Sequence, residues 1–457
     1  MQSNTKLHEQ YTIDSATIDE SIIKKLNRPF TPQGKVISAF LMLMCLKAIW
    51  LFTTRAQQWY LLGGMMLAFL VIKEIFALVY TPCKKALTKD YKVTAIITCY
   101  NEKPESIVSI LKNIMELDYP VHEILFLDDG SASSLAYDVA KSFASDYESS
   151  DTRFNIIRFE ENRGKRKVLN DGLHRAKGDY VFLLDSDSII AKSALTELLR
   201  PFEDGKTTSC VGNIGILNKK ENFLTRLQSI SYFGSFQLGR AAQSVTGDVS
   251  ICSGAFSLHK KDAITHKQEE FVDYSLFGIH VSAGDDRTLT SYSKMYGGKT
   301  RYQSTAYCET EAPNKWKKFI AQRRRWQRSA YIGSLKSIKD TFPRHFIYQF
   351  WVFGEAYFWL IAIILFILSI MVRGLYLDKM DFIIYFIIVM YKQNIFYALC
   401  YPIRFLFAPI YFLAYGLSLI TTRIYAAVTI QDDDWGTRAS RRRKVHKKHR
   451  SYDILRA

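Results

Sequence analysis

The chain has 457 residues, a net charge of +17, 48% hydrophobic and 14% aromatic residues. That length allows two or three structural units with a real core, and abundant Phe and Tyr suit a protein whose rings gather at a membrane interface. The charge alone admits a nucleic-acid binder, but the basic clusters sit beside apolar segments, as in cytoplasmic loops of membrane proteins, so no nucleic-acid partner is expected. Seven scattered cysteines without paired spacing exclude a zinc ribbon or a disulfide framework and fit a reducing, cytosolic face.

Residues 1–35 are polar and mixed in charge, so a cytosolic segment without a secretory signal is expected. Two apolar runs follow, Val36 to Phe52 and Trp59 to Tyr80, joined by "TTRAQQ" as a transmembrane hairpin over 36–80. Lys47, Lys73 and Glu74 interrupt them, and charges at membrane depth are usually paired or line a cavity. From 88 to 312 the chain reads as a soluble α/β domain. "KVTAIITCY", "HEILFLDDG" and "DYVFLLDSDS" are buried strands ending in polar residues, and "PESIVSILKNIMEL" is an intervening helix. That order predicts a doubly wound sheet binding its ligand at the carboxyl ends of the strands. Residues 313–344 read as an amphipathic, basic interface stretch.

Three apolar stretches then run His345 to Val372, Asp381 to Cys400 and Ile403 to Ile430, before the basic tail 431–457. Three full spans would put "RRRKVHKKHR" outside, against the positive-inside rule. Two spans plus an interfacial or re-entrant stretch within 345–430 are therefore expected, with a break near Pro402, Arg404 and Pro409. Both termini and the α/β domain then face the cytosol of a multi-pass cell-membrane protein.

Chemistry gathers at the strand ends. Asp185 and Asp187 in "LLDSDS" offer hard oxygens to Mg2+ or Mn2+ bridging a diphosphate. "CYNE" and "LDDGS" supply a tyrosine to stack on a base and carboxylates to accept an imide N–H, although each motif also suits a helix cap or turn. In "NRGKR", Gly164 and Lys165 bring backbone and ammonium to a phosphate, or form a surface turn. "AGDDRTLT" carries Asp285 and Asp286, and transfer to a hydroxyl needs a carboxylate base near the incoming oxygen. Cys252, Ser253 and Gly254 lie where an acceptor fits; with no histidine placed to activate it, Cys252 reads as packing.

The ordered set "CYNE", "LDDGS", "NRGKR", "DSD", "GDDR", "QRRRW" and "DDDWGTR" resembles processive family-2 glycosyltransferases, hyaluronan synthases most of all, over about Lys89 to Arg438. The resemblance implies a cytosolic, mixed-sheet α/β domain of the glycosyltransferase A type joined to transmembrane and interfacial helices. It further implies that Tyr100, Glu102 and Asp129 hold the uridine, Lys165 the diphosphate, Asp185 and Asp187 the metal, and that Asp286 is the base. Gln322, Arg325 and Trp326 match the family's Q-x-x-R-W, with Trp326 beneath the acceptor sugar and Arg325 on the leaving diphosphate. Trp435 and Arg438 would close over the nucleotide, while Arg323, Arg324 and Arg328 would belong to the membrane margin.

The reaction so implied is inverting polymerisation of UDP-sugars, UDP-GlcA and UDP-GlcNAc into hyaluronan, with the nascent polysaccharide passing through helices embedded in lipid. Two departures concern the sugars. "CSGAF" replaces the family's small residue and proline at Ala255 and Phe256, expected to alter the acceptor pocket, and "EAPNKWKKFIAQRRRW" also resembles synthases of a glucose–glucuronate capsule. Chitin-like and poly-N-acetylglucosamine products stay open beside these. A non-catalytic membrane scaffold has no need for Asp185, Asp187 and Asp286 at strand ends.

Overall fold

A computed structural model describes residues 6–11, 17–53, 60–147, 151–273, 275–276, 279–280, 284–342, 345–357, 387–388, 390–392 and 394–430. The expectations for Trp435, Arg438 and the tail, and for 358–386 within the later apolar stretches, lie outside the described residues.

Among the described residues there are ten strands: β1 (Val93–Cys99), β2 (Glu123–Asp128), β3 (Arg153–Arg158), β4 (Tyr180–Asp185), β5 (Ile189–Ile190), β6 (Thr207–Ile216), β7 (Phe256–Lys260), β8 (Ser275–Leu276), β9 (Ile279–His280) and β10 (Lys299–Thr310). Eight form one sheet in the order β3-β2-β1-β4-β7-β6-β10-β5, and β8 pairs with β9. β1 lies parallel to both β2 and β4, and β2 parallel to β3. Helices Pro104–Met115, Leu135–Ser145 and Lys165–Arg175 make the crossovers that parallel neighbours require. β7 runs antiparallel between β4 and β6, and β5 antiparallel to β10, so the sheet is mixed.

The central strands β1, β2 and β4 are apolar over most of their length because both faces are covered. Successive side chains of β1 alternate: Val93, Ala95 and Ile97 join one core layer, while Ile96 joins the other with Leu125, Leu127, Val181 and Leu183. That second layer is closed by Val168, Leu169 and Leu173 of Lys165–Arg175 and by Leu289 and Tyr292 of helix Asp285–Met295. A Cβ at Gly172 would stand 2.8 Å from Leu127, which fixes how low the first of these helices sits on the sheet.

Outside the sheet, the apolar runs form helices Pro32–Thr53 and Tyr60–Val79. At 1.5 Å per residue the first is about 33 Å long, against a hydrocarbon core of about 30 Å. Among the described residues one helix, Pro32–Trp50, is long and apolar enough to cross a membrane. It is two-sided: Ser38, Met42 and Ile49 are buried, whereas Val36, Phe40, Leu43 and Trp50 are exposed. Helix Trp316–Thr341 carries the arginine-rich stretch. After helix Ile395–Cys400 the chain bends at Tyr401, makes one turn over Pro402–Phe405, and enters helix Ala408–Val428.

Candidate active site

The carboxyl ends of β1, β2 and β4 face one cleft, closed by the first turns of two helices. Each helix is preceded by a glycine with positive φ, Gly164 at 93° and Gly284 at 86°. Only glycine adopts these angles readily, and a Cβ on Gly284 would strike Ser329 of helix Trp316–Thr341. The two turns so placed present Lys165 with Arg166, and Asp285 with Asp286.

Asn101, after β1, also has a positive φ of 56°. Its N–H donates to Ser131 Oγ, and its side-chain oxygen accepts from the Ala132 N–H, both at 2.8 Å, which ties the loop after β1 to the loop after β2. Tyr100 beside it is half-buried. Asp128 is internal, accepting from Ser131 and pairing with Arg158 at 3.3 Å. Asp129 is 2% exposed, and its carboxylate accepts from the N–H groups of Arg163 (2.6 Å) and Gly164 (3.1 Å) and from Asn162 Nδ2 (3.1 Å). It therefore builds the "NRG" turn that sets up Lys165.

Lys165 Nζ lies 2.5 Å from Asp185 Oδ1. Desolvation alone would lower its affinity for a proton, but Asp185, Asp285 and Asp286 together hold the ammonium above the ordinary lysine range. Lys165 thus feels both the end of β4 and the Asp285 turn. Asp187 accepts from Thr310 Oγ1 at 3.2 Å. Burial, then the negative charges of Asp185 and Glu102, push its carboxyl up to about 7. Glu102 is itself raised by desolvation, Asp185 and Glu311. Among the described residues no three acidic, His or Cys side chains form a closed cage. Instead a few carboxylates repel one another at the strand ends. Such a donor set fits Mg2+ or Mn2+, which take one or two carboxylates and leave the remaining positions to water and phosphate.

Asp286 is raised by burial against the opposing effect of Arg287, whose N–H donates to Asp286 Oδ1 at 2.8 Å. Gly254 faces it, an added Cβ there falling 3.9 Å from Asp286 Cβ. Cys252 is fully buried, its N–H donates to Thr290 Oγ1 at 2.9 Å, and burial pushes its thiol up to about 12. It is a packing residue, because the reactive form of cysteine is the thiolate. Cys252, Ser253 and Gly254 form the turn into β7, with the Phe256 N–H donating to the Ser253 carbonyl at 3.1 Å. The expectation that Phe256 alters the acceptor pocket is corrected: it is fully buried, packs on Phe182 with ring centroids 5.9 Å apart, and faces the sheet core. Alternation along β7 turns it away from the cleft.

Helix Trp316–Thr341 docks on helix Asp285–Met295 through Gly284 against Ser329 and through Arg287 Nη1 donating to Ser334 Oγ at 3.1 Å. Trp326 lies about one turn before Ser329 and is 38% exposed, with Gln322 and Arg325 half-buried near it. The other arginines of the stretch make specific contacts within the chain. Arg323 stacks over Trp326 at 4.5 Å, Arg324 lies 3.9 Å over Tyr425, and Arg328 donates to Thr429 Oγ1 at 2.8 Å. They hold the Trp326 ring and fasten this helix to Ala408–Val428.

Sequence reasoning missed two supporting residues. Arg166 forms a buried ion pair with Asp285 at 2.9 Å, and Thr310 orients Asp187. Arg166 stands inside a motif whose sequence interest lay in its neighbour; Thr310 gives no signal before β10 is paired with β5, which follows Asp187.

A mixed sheet with convergent carboxylates and a lysine at its strand ends defines a nucleotide-sugar glycosyltransferase of the A type. Residues 94–266 match the family described as Glycosyl transferase family 2. The hyaluronan synthase of Streptococcus pyogenes serotype M1 is 33% identical over 381 residues, covering 82% of this chain and 90% of that protein. An N-acetylglucosaminyltransferase of Azorhizobium caulinodans is 26% identical over 362 residues, 78% of this chain and 89% of its own. Among solved structures, a mannosyltransferase from Pyrobaculum calidifontis in complex with GDP-Man and Mn2+ superposes with a TM-score of 0.50 at 20% identity, covering 84% of this chain and 98% of that one, a likeness of fold. The chain belongs to the hyaluronan synthase family and is a UDP-sugar-dependent glycosyltransferase.

Proposed function

We propose that the protein is a processive, inverting polysaccharide synthase that joins UDP-GlcA and UDP-GlcNAc into hyaluronan and passes the chain across the membrane. The observation that carries this reading is the meeting of Lys165, Asp185, Asp187 and Asp286 in one cleft beside the helix bearing Trp326. The A. caulinodans relative, named an N-acetylglucosaminyltransferase, supports GlcNAc as one donor.

In this reading Tyr100, Glu102 and Asp129 surround the uridine, Asp129 through the turn it organises. Asp187 and Asp185 would hold the divalent cation, which when bound supplies positive charge to the diphosphate oxygens. Trp326 offers its exposed face to the acceptor sugar and Gln322 a hydrogen bond to it. Asp286 accepts the proton of the acceptor hydroxyl, whose oxygen forms a bond to C1 of the donor sugar. The bond from C1 to the phosphate oxygen breaks on the opposite face, UDP leaves with the electron pair, and the α-linked donor yields a β linkage. Lys165 and Arg325 stabilise the charge that grows on the diphosphate, a preorganised contribution that usually dominates catalysis. Trp435 and Arg438 would shield the nucleotide.

The exposed apolar stripe of Pro32–Thr53, and Ile75 and Val79 on the next helix, support contact with lipid. The proposed arrangement keeps 1–35, 88–312 and 431–457 cytosolic, with 36–80 and 345–430 supplying membrane and interfacial helices around 313–344. Incubation of the purified chain with single and paired UDP-sugars, followed by hyaluronidase digestion, tests the function. A digestible polymer formed only from the UDP-GlcA and UDP-GlcNAc pair is expected, and no polymer from that pair refutes it.

A further inference from the structure

The N-terminal segment, which the reaction above does not use, packs on the edge of the domain. Helix Glu20–Leu26 lies against β10, where Asn27 Nδ2 donates to the Ser304 carbonyl at 3.2 Å. Ser193 Oγ donates to Glu20 Oε1 at 3.0 Å, and Cys400 Sγ donates to the Lys25 carbonyl at 3.2 Å, which ties the same helix to the bend at Tyr401. Between helix, sheet edge and bend lies a cavity of about 410 Å³. Ile22, Ile189 and Leu217 give it an apolar wall.

Three cations and two carboxylates also line it. Both carboxylates are engaged. Asp19 caps the helix, accepting from the Ser21 N–H at 2.8 Å, and Glu309 accepts from Lys219 Nζ at 2.6 Å and from the Tyr307 hydroxyl at 2.8 Å. That leaves Lys25 and Arg404, which lie 4.2 and 5.4 Å from the centroid of the Tyr401 ring. Among the described residues neither pairs with a carboxylate. Two like charges gathered on one ring repel each other, and the ring offsets only part of that cost. A phosphate relieves it: guanidinium matches two of its oxygens at once, and ammonium adds a point charge. The bend indicates where such a phosphate comes from. Ile403, Leu406 and Phe407, beside Arg404, are 75%, 63% and 53% exposed. Apolar side chains at the rim of a cationic cavity suit a lipid whose headgroup enters while its acyl chains stay outside.

We propose that this cavity binds a phosphate-bearing anion, held by Lys25 and Arg404 beside Tyr401, and that its occupancy clamps the N-terminal segment, the sheet edge and the bend together. The exposed side chains of the bend favour the headgroup of an anionic phospholipid over a free phosphate ester. The site goes beyond the polymerase reading and includes none of the reacting residues. It adjoins them, because Glu309 in its wall precedes Thr310, which orients Asp187.

The test uses the full chain in detergent and three soluble probes: short-chain phosphatidylglycerol, the matching phosphatidylcholine, and glycerol 3-phosphate. Binding is followed calorimetrically and by thermal melts. Net charge separates the two lipids, and a charged hydrogen bond gained by one of them predicts a preference for phosphatidylglycerol of about tenfold or more. That probe should also raise the melting temperature, as a ligand of the folded state does. Lys25→Gln with Arg404→Gln is expected to remove both effects while UDP binding stays at the parental level, and either single substitution to lose part of the preference. A double variant that keeps the preference overturns the proposal. Lys24→Gln removes a charge of the same helix that does not line the cavity; a loss there as large as in the double variant shows a diffuse charge effect and also overturns it. Glycerol 3-phosphate binding as tightly as phosphatidylglycerol assigns the site to a free phosphate ester, and binding of the lipid alone assigns it to the membrane. A chain that does not distinguish phosphatidylglycerol from phosphatidylcholine and does not bind glycerol 3-phosphate has no such site, whatever sugars it polymerises. A chain that binds these anions through Lys25 and Arg404 yet makes no polymer from UDP-GlcA and UDP-GlcNAc loses the sugar pair and keeps the site.

Discussion

Replacing Arg166 by methionine tests the coupling between donor cleft and base most directly. Arg166 Nε stands 2.9 Å from Asp285 Oδ1, with the two side chains 6% and 10% exposed. Its Nη1 donates to the Phe271 carbonyl at 2.9 Å, and the guanidinium lies 4.8 Å over the Phe271 ring. Methionine keeps much of the packing volume but leaves Asp285 buried without its cation, a loss of about 3–5 kcal/mol. At about 2–4 °C per kcal/mol for a domain of this size, the melting temperature falls by roughly 6–20 °C.

A second readout separates positioning from bulk stability. Asp285 already raises the Asp286 carboxyl. With Arg166 gone, the uncompensated charge of Asp285 raises the Asp286 carboxyl further. The base must be ionised, so the acid limb of the turnover profile moves upward. Scanning fluorimetry of the full chain in detergent and UDP release across pH measure the two effects. Arg166→Met with Asp285→Leu should regain most of the lost melting temperature, since an apolar pair replaces a buried ionic one at little cost. A single variant that melts like the parent and keeps its acid limb refutes the reasoning.

Asp286→Asn should retain UDP binding while losing transfer by about 10²–10⁴-fold, the usual contribution of a general base; transfer at the parental rate contradicts the assignment. Because Asp187 takes its proton at about 7 rather than near 4, the folded state without a cation binds more protons than the unfolded one. Stability without divalent ions should therefore decline as pH rises from about 4 to 7, a trend that Mg2+ or Mn2+ reverses and Asp187→Asn removes in thermal melts at graded pH. By the same token, donor binding should weaken as pH falls below about 7, where a proton competes with the cation for Asp187. The raised Cys252 thiol should resist iodoacetamide at neutral pH until the protein is denatured, whereas the partly exposed Cys83 is alkylated first, as peptide mass spectrometry will show.

The strand ends were readable because a buried parallel strand leaves a plain record: an apolar run followed by acids. "YVFLLDSDS" and "EILFLDDG" carry that record: Asp129 of the second shapes the turn before Lys165, which pairs with Asp185 of the first. What stayed hidden depends on contacts between elements far apart in the chain. Nothing near Arg166 announces Asp285, and nothing near Asp187 announces Thr310. The arginines around Trp326 show the same limit. Their charge suggested an interface with lipid, but Tyr425 and Thr429, which Arg324 and Arg328 meet, come from a helix whose position the local sequence does not specify. The side of β7 on which Phe256 falls depends on where the strand begins, and a shift of one residue reverses it.

Phe256 has a different seat from the one the sequence suggested. With Phe256 in the sheet core, "CSGAF" leaves Gly254 facing Asp286, while the Trp326 ring is exposed on its own helix. The two adjacent cations Lys165 and Arg166 are already engaged with Asp185 and Asp285, one serving the donor and the other the base. Gly172 seats their helix tightly on Leu127, so neither can leave its carboxylate to read a polymer without disturbing the other.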